Sequence, residues 1–264
     1  MFSRLLWAWH ACRSSLSSQG SAHSTDPSGA TGERVGVSTS LPVHVEPKAE
    51  ATIRALTYRS CKRIFDIVFS VVGLALLSPL MLAVAVVVRL SSAGPALYRG
   101  RRVGLNGRPF YVLKFRTMFV NADRLGGSCT ADDDVRITRV GRSLRKTKLD
   151  ELPQLLNVLT GEMTFVGPRP ELEEFTKSYD AHERQVLRVK PGITDLATLW
   201  DSDEGAILAG EPDPERAYRE KILPTKLRLQ LEYVERASFL LDLGIVMQTI
   251  AVVCKRAVRI LSSE

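Results

Sequence analysis

The sequence predicts a mainly α protein with a small β-hairpin, held to one face of a membrane by a re-entrant helix–break–helix segment. Three observations point there. Ile67 to Val88 is 22 residues without a charge, and about 20 apolar residues suffice to cross a bilayer as a straight helix. Basic residues flank it on both sides, with Lys62 and Arg63 before and Arg89, Arg99, Arg101 and Arg102 after. Lys and Arg mark the cytoplasmic side of a membrane, so an equal bias at both ends predicts that both ends stay there. Finally, Leu97–Val103 and Pro109–Phe115 flank Asn106-Gly107, the pattern of a hairpin closed by an Asn-Gly turn.

The 264 residues can bury a sizeable core in one or two domains. A net charge of +7 and a pI of about 9.4 favour an anionic partner, such as lipid headgroups, nucleotide phosphates or nucleic acid. Cys12, Cys61, Cys129 and Cys254 are far apart and form no CxxC or Cys/His cluster, so they read as reduced thiols rather than a zinc site. Residues 1–48, rich in Ser, Gly, Thr and Pro, read as a disordered tail with no secretory signal and no legible function.

Residues 49–95 form the membrane unit, a basic helix leading into the apolar segment. Ser78-Pro79 falls near the middle of that segment. Proline removes one helical hydrogen bond, and a neighbouring serine hydroxyl can satisfy the freed backbone group. A kinked helix that dips into one leaflet and returns fits the length, the break and the charge. The alternative is a proline-kinked spanning helix.

Residues 96–200 form the next unit. From Arg89 to Lys148 there are 14 Lys and Arg against 4 Asp, a local charge of +10. Solvated surface charge would explain such a count, but next to a membrane insertion it favours anionic lipid and phosphate. Asp132-Asp133-Asp134 reads as an acidic loop tip before it reads as a metal site.

The chemistry is expected at Lys148-Leu149-Asp150-Glu151-Leu152-Pro153-Gln154. Pro153 can open a helix, leucines follow at helical spacing, and Gly161 can stop it. Asp150 and Glu151 would then face the positive end of the helix dipole, which favours their ionised forms. Arg142, Arg145, Lys146 and Lys148 lie just upstream. Carboxylates, free N–H groups and a basic cluster together suit magnesium and phosphate. The plainer reading is a helix start capped by acids. Farther on, Gly167-Pro168-Arg169-Pro170-Glu171 presents a phosphate-matching guanidinium from a stiff turn, and Lys190-Pro191-Gly192-Ile193-Thr194 is a second such turn.

In this order, these stretches resemble the bacterial sugar transferase family, the monotopic phosphoglycosyl transferases. The likeness runs from about Tyr58 to Trp200. It is carried by Lys62-Arg63-Ile64-Phe65-Asp66, Ser78-Pro79, Gly94-Pro95, Arg102-Val103-Gly104, Lys114-Phe115-Arg116-Thr117-Met118 and Leu144-Arg145-Lys146-Thr147, and then by the Asp150-Glu151 stretch and the two proline turns. The resemblance implies a monotopic protein with a cytosolic catalytic domain on the bacterial inner membrane. It implies transfer of sugar-1-phosphate from a UDP-sugar to polyprenyl (undecaprenyl) phosphate with release of UMP. By the same matching, Asp150 would be the nucleophile and form a covalent phospho-sugar intermediate. Glu151, with Asp150, would hold Mg2+, Arg145 and Arg169 would contact phosphate, and Lys114 and Arg116 would shape the pocket. The chain departs from the usual pattern at Gly100-Arg101 and at Asp195 and Thr198, where the family commonly has Gly and Gln.

Residues 201–264 read as a C-terminal helical extension. An acidic loop with a short helix precedes a helix over Tyr218–Arg236, with Lys226, Arg228, Glu232 and Glu235 on its polar side. A last helix, Phe239–Leu261, could lie on the membrane or pack on the core or on a second copy in a homodimer. The rival to the enzyme reading is a catalytically silent membrane adaptor that binds lipid or protein. A nucleic-acid partner is not expected, since no nucleic-acid fold motif is present.

Overall fold

The computed structural model describes residues 48–122, 127–200 and 204–261, with side chains described over 56–122, 127–200 and 204–255. The tail expected at the N-terminus lies outside these residues.

Helix α1 (Lys48–Ser91) runs without interruption for 44 residues, through Pro79. The expected break is therefore confined to one lost backbone hydrogen bond. Pro79 cannot donate to the carbonyl of Ala75, four residues back. The Ser78 hydroxyl donates to that carbonyl instead, at 2.9 Å. Among the described residues this is the one helix long and apolar enough to cross a membrane. Asp66, Ser70, Val84 and Val88 are buried, while Ile64, Val68, Phe69, Val71, Val72, Leu76, Leu82, Val86 and Leu90 are exposed. The buried positions recur at helical spacing, so a single stripe packs on the protein and the other faces present hydrocarbon.

The chain turns at Gly94-Pro95 into the antiparallel pair β1 (Leu97–Val103) and β2 (Pro109–Phe115), in register from Leu97↔Phe115 to Val103↔Pro109. Asn106 and Gly107 both take positive φ, as the expected turn requires. Helix α2 (Arg139–Thr147) starts where the Thr138 hydroxyl accepts from the Gly141 N–H at 2.9 Å. It ends at Lys148, whose φ of 58° is left-handed. A 3-10 turn, Leu149–Glu151, leads through Pro153 into α3 (Gln154–Thr160), closed by Gly161.

Strand β3 (Thr164–Val166) pairs in parallel with β4 (Gly192–Thr194). The two proline turns meet at the ends of these strands. A Cβ on Gly192 would sit 2.2 Å from the Gly167 nitrogen, so the approach requires glycine.

The remaining helices among the described residues are α4 (Glu173–Thr176), a 3-10 helix (Glu183–Arg188), α5 (Leu196–Trp200), α6 (Glu204–Leu208), α7 (Pro214–Ala217), a π-turn (Tyr218–Ile222), α8 (Leu223–Arg236) and α9 (Phe239–Leu261). Phe175, Tyr179, Tyr218, Ile222 and Leu227 form one buried cluster. Lys226 is in that interior, 4% exposed, and does not lie on a solvated face as its helical position led one to expect. In α9, Asp242 is buried while Leu240, Leu243, Met247 and Ile250 are exposed. Its carboxylate accepts from Lys62 Nζ at 2.6 Å and from the Tyr58 hydroxyl at 3.0 Å, and Tyr233 Oη lies 2.7 Å away. This knot ties α9 and α8 to the entry of the apolar helix.

Candidate active site

A cavity of about 490 Å³ opens where α2, β2, the Leu149–Glu151 turn and the Arg169 segment converge. Lys114, Arg145, Asp150, Glu151 and Arg169 all line it, so the structure gathers five of the six residues expected at the substrate.

Arg116 is the exception. Its guanidinium turns toward the end of α1 and donates to the carbonyls of Ser92 (2.8 Å), Val88 (3.4 Å), Gly94 (3.5 Å) and Ala93. The last carbonyls of a helix have no internal partner, and Arg116 supplies one. It anchors the membrane helix and does not face the pocket. Arg63, from the other flank of the apolar segment, does the equivalent for α3, donating to the carbonyls of Val158 and Leu159 at 2.7 Å each. Asp66 completes that clamp by accepting from the Thr164 hydroxyl and the Phe165 N–H, both at 3.0 Å.

The two adjacent carboxylates occupy different environments. Glu151 accepts from Lys114 Nζ at 2.8 Å and from both terminal nitrogens of Arg169, one at 3.2 Å. Burial alone would raise its pKa, but Arg169 and Lys114 outweigh that and hold it well below the ordinary range. Asp150 is 5% exposed, and its Oδ1 has no hydrogen-bond partner among the described residues. Burial pushes its pKa upward; Lys114 opposes this, and the charge on Glu151 adds to it. The expectation that a helix dipole would hold both acids ionised is corrected here. Both lie in the 3-10 turn ahead of α3. Desolvation decides the state of Asp150, and two cations decide that of Glu151.

Arg145, in the last turn of α2, borders the same cavity. Lys148 follows, its pKa lowered by burial. The hairpin is set against the acids by Asn157. Its Oδ1 accepts from the Leu113 N–H at 2.9 Å and its Nδ2 donates to the Tyr111 carbonyl at 2.8 Å. These bonds bracket Val112 and hold β2 just ahead of Lys114, whose Nζ reaches Glu151.

Arg169 is held from behind by Asp195, which is fully buried. Oδ2 of Asp195 accepts from the Arg169 N–H (3.1 Å) and from Gln230 (2.8 Å). Its Oδ1 accepts from the Thr198 N–H and hydroxyl, both at 2.7 Å. Asn157, Asp195 and Gln230 were not singled out for the site from sequence. The one signal available was that Asp195 and Thr198 depart together from the usual pattern.

The chain belongs to the bacterial sugar transferase family, which matches residues 57–256. Among individual proteins, it is 39% identical over 208 residues to the exopolysaccharide production protein ExoY of Sinorhizobium fredii (strain NBRC 101917 / NGR234), covering 73% of this chain and 85% of that one. It is 39% identical over 197 residues to the UDP-glucose:undecaprenyl-phosphate glucose-1-phosphate transferase of Escherichia coli (strain K12), covering 73% of this chain and 40% of that one. A third relative is the UDP-N-acetylgalactosamine-undecaprenyl-phosphate N-acetylgalactosaminephosphotransferase of Aeromonas hydrophila, 37% identical over 198 residues, covering 73% of this chain and 43% of that protein. The chain thus spans most of the first relative and less than half the length of the other two.

Proposed function

We propose that the protein transfers a sugar-1-phosphate from a UDP-sugar to a polyprenyl phosphate such as undecaprenyl phosphate and releases UMP, the first membrane step in assembling a bacterial surface polysaccharide. The observation that carries this reading is the unequal acid pair. A buried Asp150, whose Oδ1 has no partner among the described residues, stands beside a Glu151 that is locked by two cations, in a cavity whose lining residues Leu149 and Leu152 pack on the apolar helix. The names of the relatives from E. coli and A. hydrophila support the substrate classes.

The chemistry follows from that inequality. An Asp150 oxygen attacks the sugar-bearing phosphorus of the donor. The phosphoanhydride bond breaks and UMP leaves with the bonding electron pair. The sugar phosphate is then joined to the carboxylate as an acyl phosphate. An oxygen of the polyprenyl phosphate attacks the same phosphorus, and the Asp150 carboxylate is released unchanged. Splitting a difficult transfer into two such steps is the usual gain from a covalent nucleophile. Arg145 and Arg169 would hold the phosphates from two sides. Lys114 and Arg169 keep Glu151 ionised and in place.

The residues fit a magnesium ion. Mg2+ is commonly bound through one or two carboxylates and the substrate's own phosphates. Asp150 Oδ1, without a partner among the described residues, would be the ligand. Both oxygens of Glu151 are held by Lys114 and Arg169, so Glu151 would join the ion only by giving up one of those contacts. When bound, the ion would neutralise the diphosphate and favour the charged form of Asp150.

For topology, the reading is a helix that enters one leaflet with both flanks on the cytoplasmic face of the inner membrane. The supporting observation is that one body of protein holds both flanks, through Arg63 and Asp66 at one end and Arg116 at the other. A helix of 22 residues is about 33 Å long, so a straight crossing would carry those two clamps to opposite surfaces. A silent adaptor would gain nothing from a desolvated, unpartnered carboxylate in a cavity.

The test is UMP release from a panel of UDP-sugars with undecaprenyl phosphate and Mg2+, followed by mass mapping of the phospho-sugar adduct. The expected outcome is turnover that Asp150→Asn abolishes, with the adduct on Asp150. Wild-type turnover by Asp150→Asn in folded protein would sink the mechanism.

A further inference from the structure

Beyond the acid pair, the same cavity has a second polar wall built from the C-terminal helices. Lys226 of α8 is 4% exposed. Its Nζ lies 2.6 Å from Glu171 Oε1, 2.8 Å from Glu204 Oε1 and 3.0 Å from the Tyr218 hydroxyl. Tyr218 in turn donates to Glu171 at 2.7 Å. All four side chains line the cavity, together with Ser128 and Thr130 from the loop opposite.

The Lys226 ammonium donates to Glu204 and to the Tyr218 hydroxyl and is ion-paired with Glu171. Burial would push the Lys226 pKa down, but Glu171 and Glu204 hold it well above its usual value. Lys226 is therefore a brace for the two carboxylates and is not free to seize a phosphate. Arg102 lies on the same wall with Glu171 as its main opposite charge, so the two carboxylates are balanced by two cations. With those cations committed to the acids, the wall offers carboxylate and hydroxyl oxygens, which are good partners for the hydroxyls of a neutral polyol. The second oxygens of Glu171 and Glu204 carry no hydrogen bond among the described residues, and the Glu204 side chain is 35% exposed.

The placement matches this chemistry. Glu171 lies two residues beyond Arg169 in a segment that Pro168 and Pro170 keep extended. Residues i and i+2 of an extended chain are about 7 Å apart. A phosphate at Arg169 would thus put its attached ring against Glu171 and its neighbours.

We infer that Glu171, Glu204, Tyr218 and Lys226, with Ser128 and Thr130, form the subsite for the sugar ring of the nucleotide donor and set which sugar is taken. This rests on the donor reading proposed above. The experiment compares wild type, Glu204→Gln and Ser128→Ala. Lys226→Met would strand two carboxylates and endanger the fold, so the two open positions are used.

Two quantities are read: kcat/KM for UDP-glucose, UDP-galactose and their N-acetylamino counterparts, and the affinities of UMP and of each UDP-sugar by calorimetry. Each variant is expected to lower kcat/KM for the preferred sugar by about tenfold and to reorder the panel, with UMP affinity moving less than about twofold. An unchanged order in both variants would overturn the subsite and leave the transferase reading standing. Equal losses for UMP and every sugar would assign the wall to the nucleoside and also overturn it. A wild type that releases no UMP removes the proposed function. Calorimetry then still decides the subsite, which falls if Glu204→Gln and Ser128→Ala leave the affinities of the UDP-sugars in the wild-type order.

Discussion

Thr198 gives both its backbone N–H and its hydroxyl to a single oxygen of Asp195, each at 2.7 Å, while the other oxygen takes the N–H of Arg169. Two positions that depart from the usual pattern of the family are therefore one unit. The carboxylate at 195 and the short hydroxyl at 198 need each other, and together they fix the backbone that presents the Arg169 guanidinium to the cavity. Asp195→Ala should destabilise the protein by about 3 kcal/mol, because it strands buried donors on three residues. Thr198→Val should cost about 1 kcal/mol, since the backbone bond survives. Urea unfolding of the purified protein checks both values and their order.

Asp150 and Glu151 should respond in opposite ways to loss of charge. Asp150 pays for desolvation without a hydrogen bond to Oδ1, so Asp150→Asn should leave stability equal or higher while activity disappears. Glu151→Gln leaves Lys114 and Arg169 without their counter-charge and should cost about 3 kcal/mol, the low end for breaking a buried pair. Thermal unfolding of the two variants beside wild type would show it, and a destabilised Asp150→Asn would contradict the account.

The acid side of the pH profile follows from the same pair. Burial raises the pKa of Asp150, so its reactive, ionised form is lost as pH falls through a value above that of an ordinary aspartate. The kcat/KM profile at limiting Mg2+ should therefore drop at a higher pH than free carboxylates titrate, and saturating Mg2+ should move that drop to lower pH. Linkage runs the other way for the two groups. The depressed Glu151 stabilises the fold above its unfolded-state pKa, and that contribution goes only as pH falls through its low folded value. The raised Asp150 gains stability on protonation. Activity should thus fail on acidification well before the fold does, a gap that paired rate and circular dichroism titrations would reveal.

Arg116→Met should weaken the protein without acting at the donor site. It removes a charged donor from the carbonyls of Val88, Ser92, Ala93 and Gly94, and should cost at least about 3 kcal/mol. The KM for the UDP-sugar in whatever folded protein remains should stay near wild type. A rise in KM with stability intact would return Arg116 to the pocket.

Much of this was legible in the sequence, for identifiable reasons. Local chemistry fixed the hairpin at Asn106-Gly107, the stop at Gly161 and the last helix over Phe239–Leu261. Asp150, Glu151, Arg145, Arg169 and Lys114, singled out on short motifs, line one cavity. Arg116 was misassigned because a motif shows which residues occur together and not which way each side chain turns. Lys226 was misjudged because a helical wheel cannot see two carboxylates brought from Glu171 and Glu204, 55 and 22 residues away. The ionisation of Asp150 depends on burial, which arises only when α2, β2 and α3 close around it.

The Arg63 clamp has a practical consequence. The side chain that finishes the helix following the acid pair is supplied by the hydrophobic anchor itself. Cutting away residues 48–91 to obtain a water-soluble enzyme would leave two carbonyls of α3 bare, free Thr164 and Phe165 from Asp66, and strip Val84 and Val88 from Phe115 and Leu144. Assembly of the reactive centre and attachment to lipid are thereby made a single event, so a copy released from the bilayer by proteolysis should be inert wherever it drifts.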